Sequence, residues 1–320
     1  MAERIIYLSD AQLESLGISP NEIADSIEAA FQTQSEGKLW TVPKSALLPG
    51  DGRYMMATLS AADNPQYTII KTAMVSPRNP ARGLNGIEAS IILLDSETGL
   101  LKAAMGGNWI TAVRTAGLSV VMARRLADPD SRSVAFVGCG VQARSHLDAF
   151  NDLFPLAQIR MFGRGQANLD KLAQRAAELG LEAIACPTAR EAIEGADLVV
   201  SSITLSYDTQ PFLDANWMKP GAFAAITDLA IPWLPNSLKA FQSAFIDDHE
   251  QEASSPKPMI EEHLISGDMA QVLSGDREAR HDPQKRSAFL FRGLAIGDFA
   301  AAALAYDKAM EQGDGHRFQS

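Results

Sequence analysis

Cysteine is scarce in this chain: Cys139 and Cys186 are the two among 320 residues, and no C-x-x-C pair occurs. That excludes a disulfide framework and the usual thiolate metal or redox motifs. Positive charge is also in short supply, with 28 Lys and Arg against 39 Asp and Glu, a formal net charge of -11. An acidic surface of this kind does not suit nucleic acid or an anionic bilayer, so neither is expected as a partner. No apolar run reaches the roughly 18 uncharged residues of a membrane span. The opening MAERIIYLSDAQLESLG has no basic stretch followed by an apolar one, so it does not read as a secretory leader. A soluble, cytoplasmic protein is the expectation. The histidines (His146, His249, His263, His281 and His316) lie far apart, without metal-ligand spacing, and no metal is expected. Asp247-Asp248-His249 is a local cluster that reads as a solvated loop. Repeats and low-complexity tracts are absent.

What the chain does have is 46% hydrophobic residues over a length sufficient for two cores. Its most informative segment is 131-148, SRSVAFVGCGVQARSHLD. Ser133 to Val137 reads as a buried strand. It runs into Gly138-Cys139-Gly140-Val141-Gln142-Ala143, a G-x-G-x-x-A turn, and then a helix with Val141, Ser145, Leu147 and Phe150 as inward positions. Strand, glycine turn and helix together are the context of a dinucleotide-binding unit. Gly138 allows a tight turn, Gly140 leaves room for a pyrophosphate, and Ala143 lets the helix approach the sheet. The helix N-terminus then offers N–H groups and partial positive charge to phosphates.

Beyond this unit, helix and strand patterns alternate: strands at 158-162, 182-186, 198-203, 222-227 and 243-246, helices at 167-179 and 188-194. This predicts a doubly wound parallel α/β sheet. Pro256 to Asp282 reads as loops and a short helix at the sheet edge. Before residue 130 the pattern differs. Asp10 or Ser19 is a candidate helix cap, Pro20 to Gln34 an amphipathic helix, and 45-48, 54-59, 67-73 and 90-94 strand-like pieces. These suggest an α+β domain. Trp109 to Ala127 is helical. The apolar, Ala-rich helix near the C-terminus is expected to return and pack on that first domain.

The strand at 158-162 ends in Phe162-Gly163-Arg164-Gly165, with no Asp or Glu to accept from ribose hydroxyls. Arg164 supplies a planar cation suited to a 2′-phosphate, which favours NADP(H) while admitting NAD(H). Thr204, after the strand at 198-203, completes the expected cofactor contacts. Lys71 follows Ile69-Ile70 and Arg114 lies among Ala112, Val113 and Ala116, so both are expected to be buried. Buried cations need partners. A bound carboxylate and an internal acid such as Glu88 serve equally well on this reading.

These segments together resemble the ornithine cyclodeaminase/μ-crystallin family. The similarity is carried by Ile69-Ile70-Lys71, Ile92 to Asp95 with Thr98-Gly99, Met105 to Ala116, Val137 to His146, Gly195-Ala196-Asp197, Lys219 to Ala222 and Gly293-Leu294-Ala295. The resemblance implies a homodimer. It also implies a substrate and dimerisation domain from residues 1-120 and 298-320, and a Rossmann domain from 121-297. Substrates would be small imino or amino acids, their carboxylate held by Lys71, Arg114 and a third basic residue. Lys44 stands at that third position, where the family usually has Arg. Lys71 is also a candidate proton donor. The cyclodeaminases of the family carry an acid that falls on Ala230 here. Asp228, two residues earlier, either lines the catalytic site or caps a helix or loop. The implied activity is NAD(P)H-dependent reduction of a Δ1-pyrroline-2-carboxylate or Δ1-piperideine-2-carboxylate type imine. The alternatives are ornithine cyclodeaminase, an alanine dehydrogenase-like activity, and a non-catalytic μ-crystallin-like binding protein.

Overall fold

The structure is a computed structural model, and the residues it describes are 4–319. In chain order the elements are β1 (Arg4–Leu8), α1 (Asp10–Ser15), α2 (Pro20–Ser35), β2 (Leu39–Thr41), β3 (Ser45–Leu47), β4 (Tyr54–Asp63), β5 (Gln66–Val75), β6 (Ile87–Asp95), β7 (Leu101–Gly106) and α3 (Asn108–Leu126). There follow β8 (Ser133–Val137), α4 (Val141–Leu153), β9 (Gln158–Phe162), α5 (Gln166–Glu178), β10 (Glu182–Ala185), α6 (Ala189–Ile193), β11 (Leu198–Ser201), β12 (Phe223–Ile226) and β13 (Phe241–Ile246). Last come α7 (His249–Ala253), β14 (Ile265–Asp268), α8 (Met269–Ser274), β15 (Arg286–Leu290), α9 (Ala295–Gln312) and β16 (His316–Gln319). No helix among the described residues is long and apolar enough to cross a membrane.

The chain divides into two units, residues up to 114 with 294 onward, and residues 115–293. The expected divisions were after 120 and after 297. Both the expected division after 120 and the one after 114 fall inside α3, where continuous helical periodicity carries no compositional break.

The first unit is built on a mixed sheet of order β16-β1-β7-β6-β5-β4-β2, with β3 also on β4. Helix α2 begins where expected because Ser19 Oγ accepts from Glu22 N, the Glu22 carboxylate accepts from Ser19 N, and Pro20 opens the first turn. It buries Ile23, Ile27 and Phe31. Asp10 does not cap α1. Ser9 does so in a capping box with Gln12, while Asp10 Oδ1 accepts from Trp109 N at 2.8 Å, at the start of α3. Alternation along β5 turns Ile69, Lys71 and Ala73 inward. Helix α9 packs on β4, β5 and α2 in this unit, as expected, and Tyr67 Oη donates to Asp307 Oδ1 at 2.5 Å. Strands β1 and β16 were not anticipated; they are short, and β1 is held between β7 and β16, the latter from the opposite end of the chain.

The second unit is an eight-stranded, wholly parallel sheet of order β10-β9-β8-β11-β12-β15-β13-β14. All five residues of β8 are buried, as a central parallel strand requires. Segment 256-282 contributes a strand, β14, where only loops and a helix were expected. Its sequence, ISGD, has no apolar run, and pairing with β13 alone makes it a strand. Asp247-Asp248-His249 is not a solvated loop either. Asp248 caps α7, and buried Asp247 accepts from Arg292 N and Gly293 N, both at 2.9 Å. Within α4, Leu147 and Phe150 are buried as expected. Val141 is exposed and Ser145 half-buried, while Ala143, His146 and Ala149 fill the inward face. The helix is rotated from the sequence reading because its first residue sits at the open end of the glycine turn.

Candidate functional site

In the first unit, Lys71 and Arg114 converge on one carboxylate. Lys71 projects from the middle of β5, opposite Thr58 on one side and Ile91 on the other. Arg114 comes from the second turn of α3. Their common partner is Asp298, in the first turn of α9. Lys71 Nζ and Arg114 Nε each lie 2.9 Å from Asp298 Oδ1, and Thr58 Oγ1 donates to Oδ2 at 3.1 Å. Side-chain exposures of 3%, 10% and 3% for Lys71, Arg114 and Asp298 put this cluster out of water. The Arg114 Nε–H is not aligned on Asp298, so that ion pair lacks a true hydrogen bond. Two buried cations therefore share one oxygen, and the site carries a positive surplus that favours a second anion. Burial pushes Lys71 down to about 8, with Asp298 opposing the fall and Arg114 adding to it. Lys44 adds further to it, which places its charge near Lys71. Burial alone would raise Asp298, but Lys71 and Arg114 hold it below the ordinary carboxylate value.

The internal acid that sequence reasoning named, Glu88, is not the counter-charge. It accepts from Asn108 Nδ2 at 2.6 Å and from Asn85 Nδ2 at 3.0 Å. Asp298 was missed. The available signal was a lone acid on an otherwise apolar helix face, since Ile296, Phe299, Ala301 and Ala302 around it are all buried.

In the second unit, the glycine turn has the form that a dinucleotide needs. Gly138 adopts φ +91°, and a Cβ there would lie 2.5 Å from Ser202 O, so glycine is required twice over. Its N–H donates to Phe162 O at 2.9 Å, tying the turn to the end of β9. Gly140 is different: a Cβ added there would meet no protein atom within 4 Å. Nothing among the described residues explains that glycine, whereas a phosphate approaching the backbone does. No side chain caps the start of α4, which leaves the first-turn N–H groups of Val141, Gln142 and Ala143 without a side-chain acceptor there. Ala143 is fully buried against the sheet. These residues fit a nicotinamide dinucleotide. Arg164 is exposed just past β9, and Thr204 is exposed beyond β11, which stops at Ser201 rather than at 203.

Asp228 has its oxygens occupied. Oδ1 accepts from Ser201 Oγ at 2.9 Å and Oδ2 from Ile203 N at 3.1 Å, while Ser201 Oγ accepts from Trp233 Nε1. The side chain is 1% exposed, and the next two residues, Leu229 and Ala230, sit at φ 58° and 54°. Of its two expected roles, these contacts match loop capping at the carboxyl ends of β11 and β12. Burial raises its pKa to about 7, against the bonds from Ile203 and Ser201. The native protein therefore holds a proton that the unfolded chain has released, and stability falls as pH rises from about 4 to about 7. Asp228→Asn carries no such charge. Its melting temperature is expected to gain on the wild type between pH 5 and pH 8, by on the order of 5 °C. Thermal melts at the two pH values check this; a gap that does not change with pH would contradict it.

Comparison with known proteins agrees with this architecture. Residues 6–313 match the sequence profile of the Ornithine cyclodeaminase/mu-crystallin family. Ketimine reductase mu-crystallin of Mus musculus is 32% identical over 257 residues, 79% of each chain. Among solved structures, Delta(1)-pyrroline-2-carboxylate reductase of Thermococcus litoralis, in complex with NADH and L-proline, superimposes with a TM-score of 0.89 at 27% identity, covering 97% of this chain and 99% of that one. An archaeal alanine dehydrogenase dimer with bound NAD gives 0.86 at 25% identity, covering 99% of both.

Proposed function

The chain belongs to the ornithine cyclodeaminase/mu-crystallin family, and from that premise we propose that it is an NAD(P)H-dependent reductase of small imino acids. Five- and six-membered cyclic imines bearing a carboxylate are the substrates the site suits. The observation that carries the reading is the buried cluster in which Lys71 and Arg114 share Asp298. Its residual positive charge is the counterpart of a substrate carboxylate. Arg114 and Lys71 hold that carboxylate and so fix the imine carbon in one position. Lys44 adds a point charge at the third basic position. A bound nicotinamide supplies the two-electron reductant. Lys71 Nζ, near 8 and already donating to Asp298, delivers the proton that the imine nitrogen takes up. Asp228 acts by holding the loop after β11, through its bonds from Ser201 and Ile203. Ala230 offers no acid for handling ammonia or water, which weighs against ornithine cyclisation.

The test is nicotinamide oxidation, followed at 340 nm, against Δ1-pyrroline-2-carboxylate, Δ1-piperideine-2-carboxylate, pyruvate with ammonia or methylamine, and ornithine. Turnover of a cyclic imine is expected. Ammonia release from ornithine without net change in the cofactor would overturn the proposal in favour of a cyclodeaminase.

NADPH is the preferred cofactor on this reading, because Gly163 and Arg164 follow β9 and no acid stands at the strand end. Arg164→Ala is expected to weaken NADPH binding about tenfold or more and to leave NADH within a factor of about three. Equal losses in a fluorescence titration would remove Arg164 from the site.

The working form is a homodimer. The face of the first unit's sheet opposite Lys71 exposes Trp40, Leu47, Met55 and Leu59, with half-buried Ile70 beside Leu59 and half-buried Ala61 beside Trp40. A second copy covers such a face without new chemistry. Light scattering is expected to give twice the chain mass, and Leu59→Lys is expected to return it to one.

A further inference from the structure

The end of β9 and the glycine turn meet at one side chain. An ideal Cβ on Gly163 would stand 3.2 Å from Cys139 Sγ, 3.6 Å from its Cβ and 3.7 Å from its N. Cys139 is 4% exposed, and its thiol is held against Phe162 O at 3.6 Å. It has little freedom to retreat. Residue 163 lies where a side chain reaching a ribose would begin, at the carboxyl end of the second strand of the nucleotide unit. The φ of Gly163 is not in the left-handed region, so backbone conformation does not demand glycine there. What disfavours a side chain is the thiol, which would have to give by a few tenths of an ångström.

The geometry points to Cys139 as a specificity-determining residue: its thiol keeps position 163 free of a side chain and thereby keeps out the ribose-binding acid that an NADH site would use. Cys139 acts through Gly163 and not by touching the cofactor. With Sγ removed, the nearest atom of residue 139 to a new side chain is its Cβ at 3.6 Å, an ordinary contact. An aspartate at 163 would then have room, with the Cys139 N–H 3.7 Å from its Cβ. The two positions are therefore coupled, and neither alone sets the cofactor preference. This rests on the dinucleotide reading of the glycine turn.

The experiment is a double-mutant cycle over wild type, Gly163→Asp, Cys139→Ala and the pair, with Kd for NADPH and NADH from protein-fluorescence titration. Gly163→Asp alone is expected to lose NADPH and to gain little for NADH. Cys139→Ala alone is expected to leave NADH binding unchanged and the pair to bind NADH at least about tenfold tighter than Gly163→Asp does, which together make a coupling of about 1.4 kcal/mol. A single Gly163→Asp change that gains NADH as fully as the pair would overturn the inference. A cofactor-free readout guards against misfolding of the charged variant. Gly163→Ala is expected to lower the melting temperature, and the Cys139→Ala background to remove most of that drop; additive melting shifts would also overturn it. Should the wild type bind neither dinucleotide, the cofactor reading falls and takes this inference with it. A wild type that binds NADPH while its variants behave additively removes only the coupling.

Discussion

Asp298→Ala is expected to destabilise the protein by about 3–5 kcal/mol, because it leaves Lys71 and Arg114 buried beside each other with no counter-charge. A drop in melting temperature on the order of 10 °C follows from a loss of that size. The pH dependence has a definite sign. Asp298 is held below its ordinary 3.8, so its contribution is present above that pH and is lost as pH falls through the lower native value. The gap between wild type and variant should close in acid. Asp298→Asn separates charge from shape, since an amide oxygen can still accept from Thr58 Oγ1. It is expected to cost less stability and to lower the Lys71 pKa further below 8, because Asp298 is what opposes the effect of burial there. Urea unfolding at pH 7 checks the first claim. A loss under about 1 kcal/mol for the alanine variant would mean the cluster is not balanced in this way.

Lys71→Met is expected to reduce kcat for imine reduction by about 10²–10⁴, the range for a positioned proton donor. The variant should remain folded. Asp298 keeps Arg114 Nε at 2.9 Å and the Thr58 hydroxyl, and methionine fills the volume of the lysine stem. In the wild type, kcat/KM for reduction is expected to fall as pH rises through about 8, where Lys71 loses its proton, and the oxidative direction should show the opposite limb. Both limbs should vanish in the variant. A Lys71→Met protein that keeps most of its kcat and the limb near pH 8 would assign proton delivery to another group.

Local patterns made much of the second unit legible. The β8 strand, the turn from Gly138 to Ala143 and the helix after it lie within about twenty consecutive residues, so spacing alone defines them. The alternation of strands and helices up to β13 was equally local. Legibility failed where a partner far along the chain decided the outcome. Strand β14 exists because β13 lies beside it, and β1 exists because β7 and β16 flank it. Asp10 looked like a cap for its own helix and instead caps one that starts almost a hundred residues later. Val141 followed the apolar pattern of α4 but stands at an open turn, exposed.

The candidate site divides in the same way. Which residues could hold phosphates, and that Lys71 and Arg114 would be buried cations, follows from the order of residue types along the chain. That the two cations meet on Asp298, 227 residues from Lys71, and that Asp228 is tied up by Ser201 and Ile203, depended on folding. A buried charge is satisfied by whichever opposite charge the packing brings within about 3 Å. Such a distance is a property of three-dimensional closure, which no run of neighbouring residues encodes.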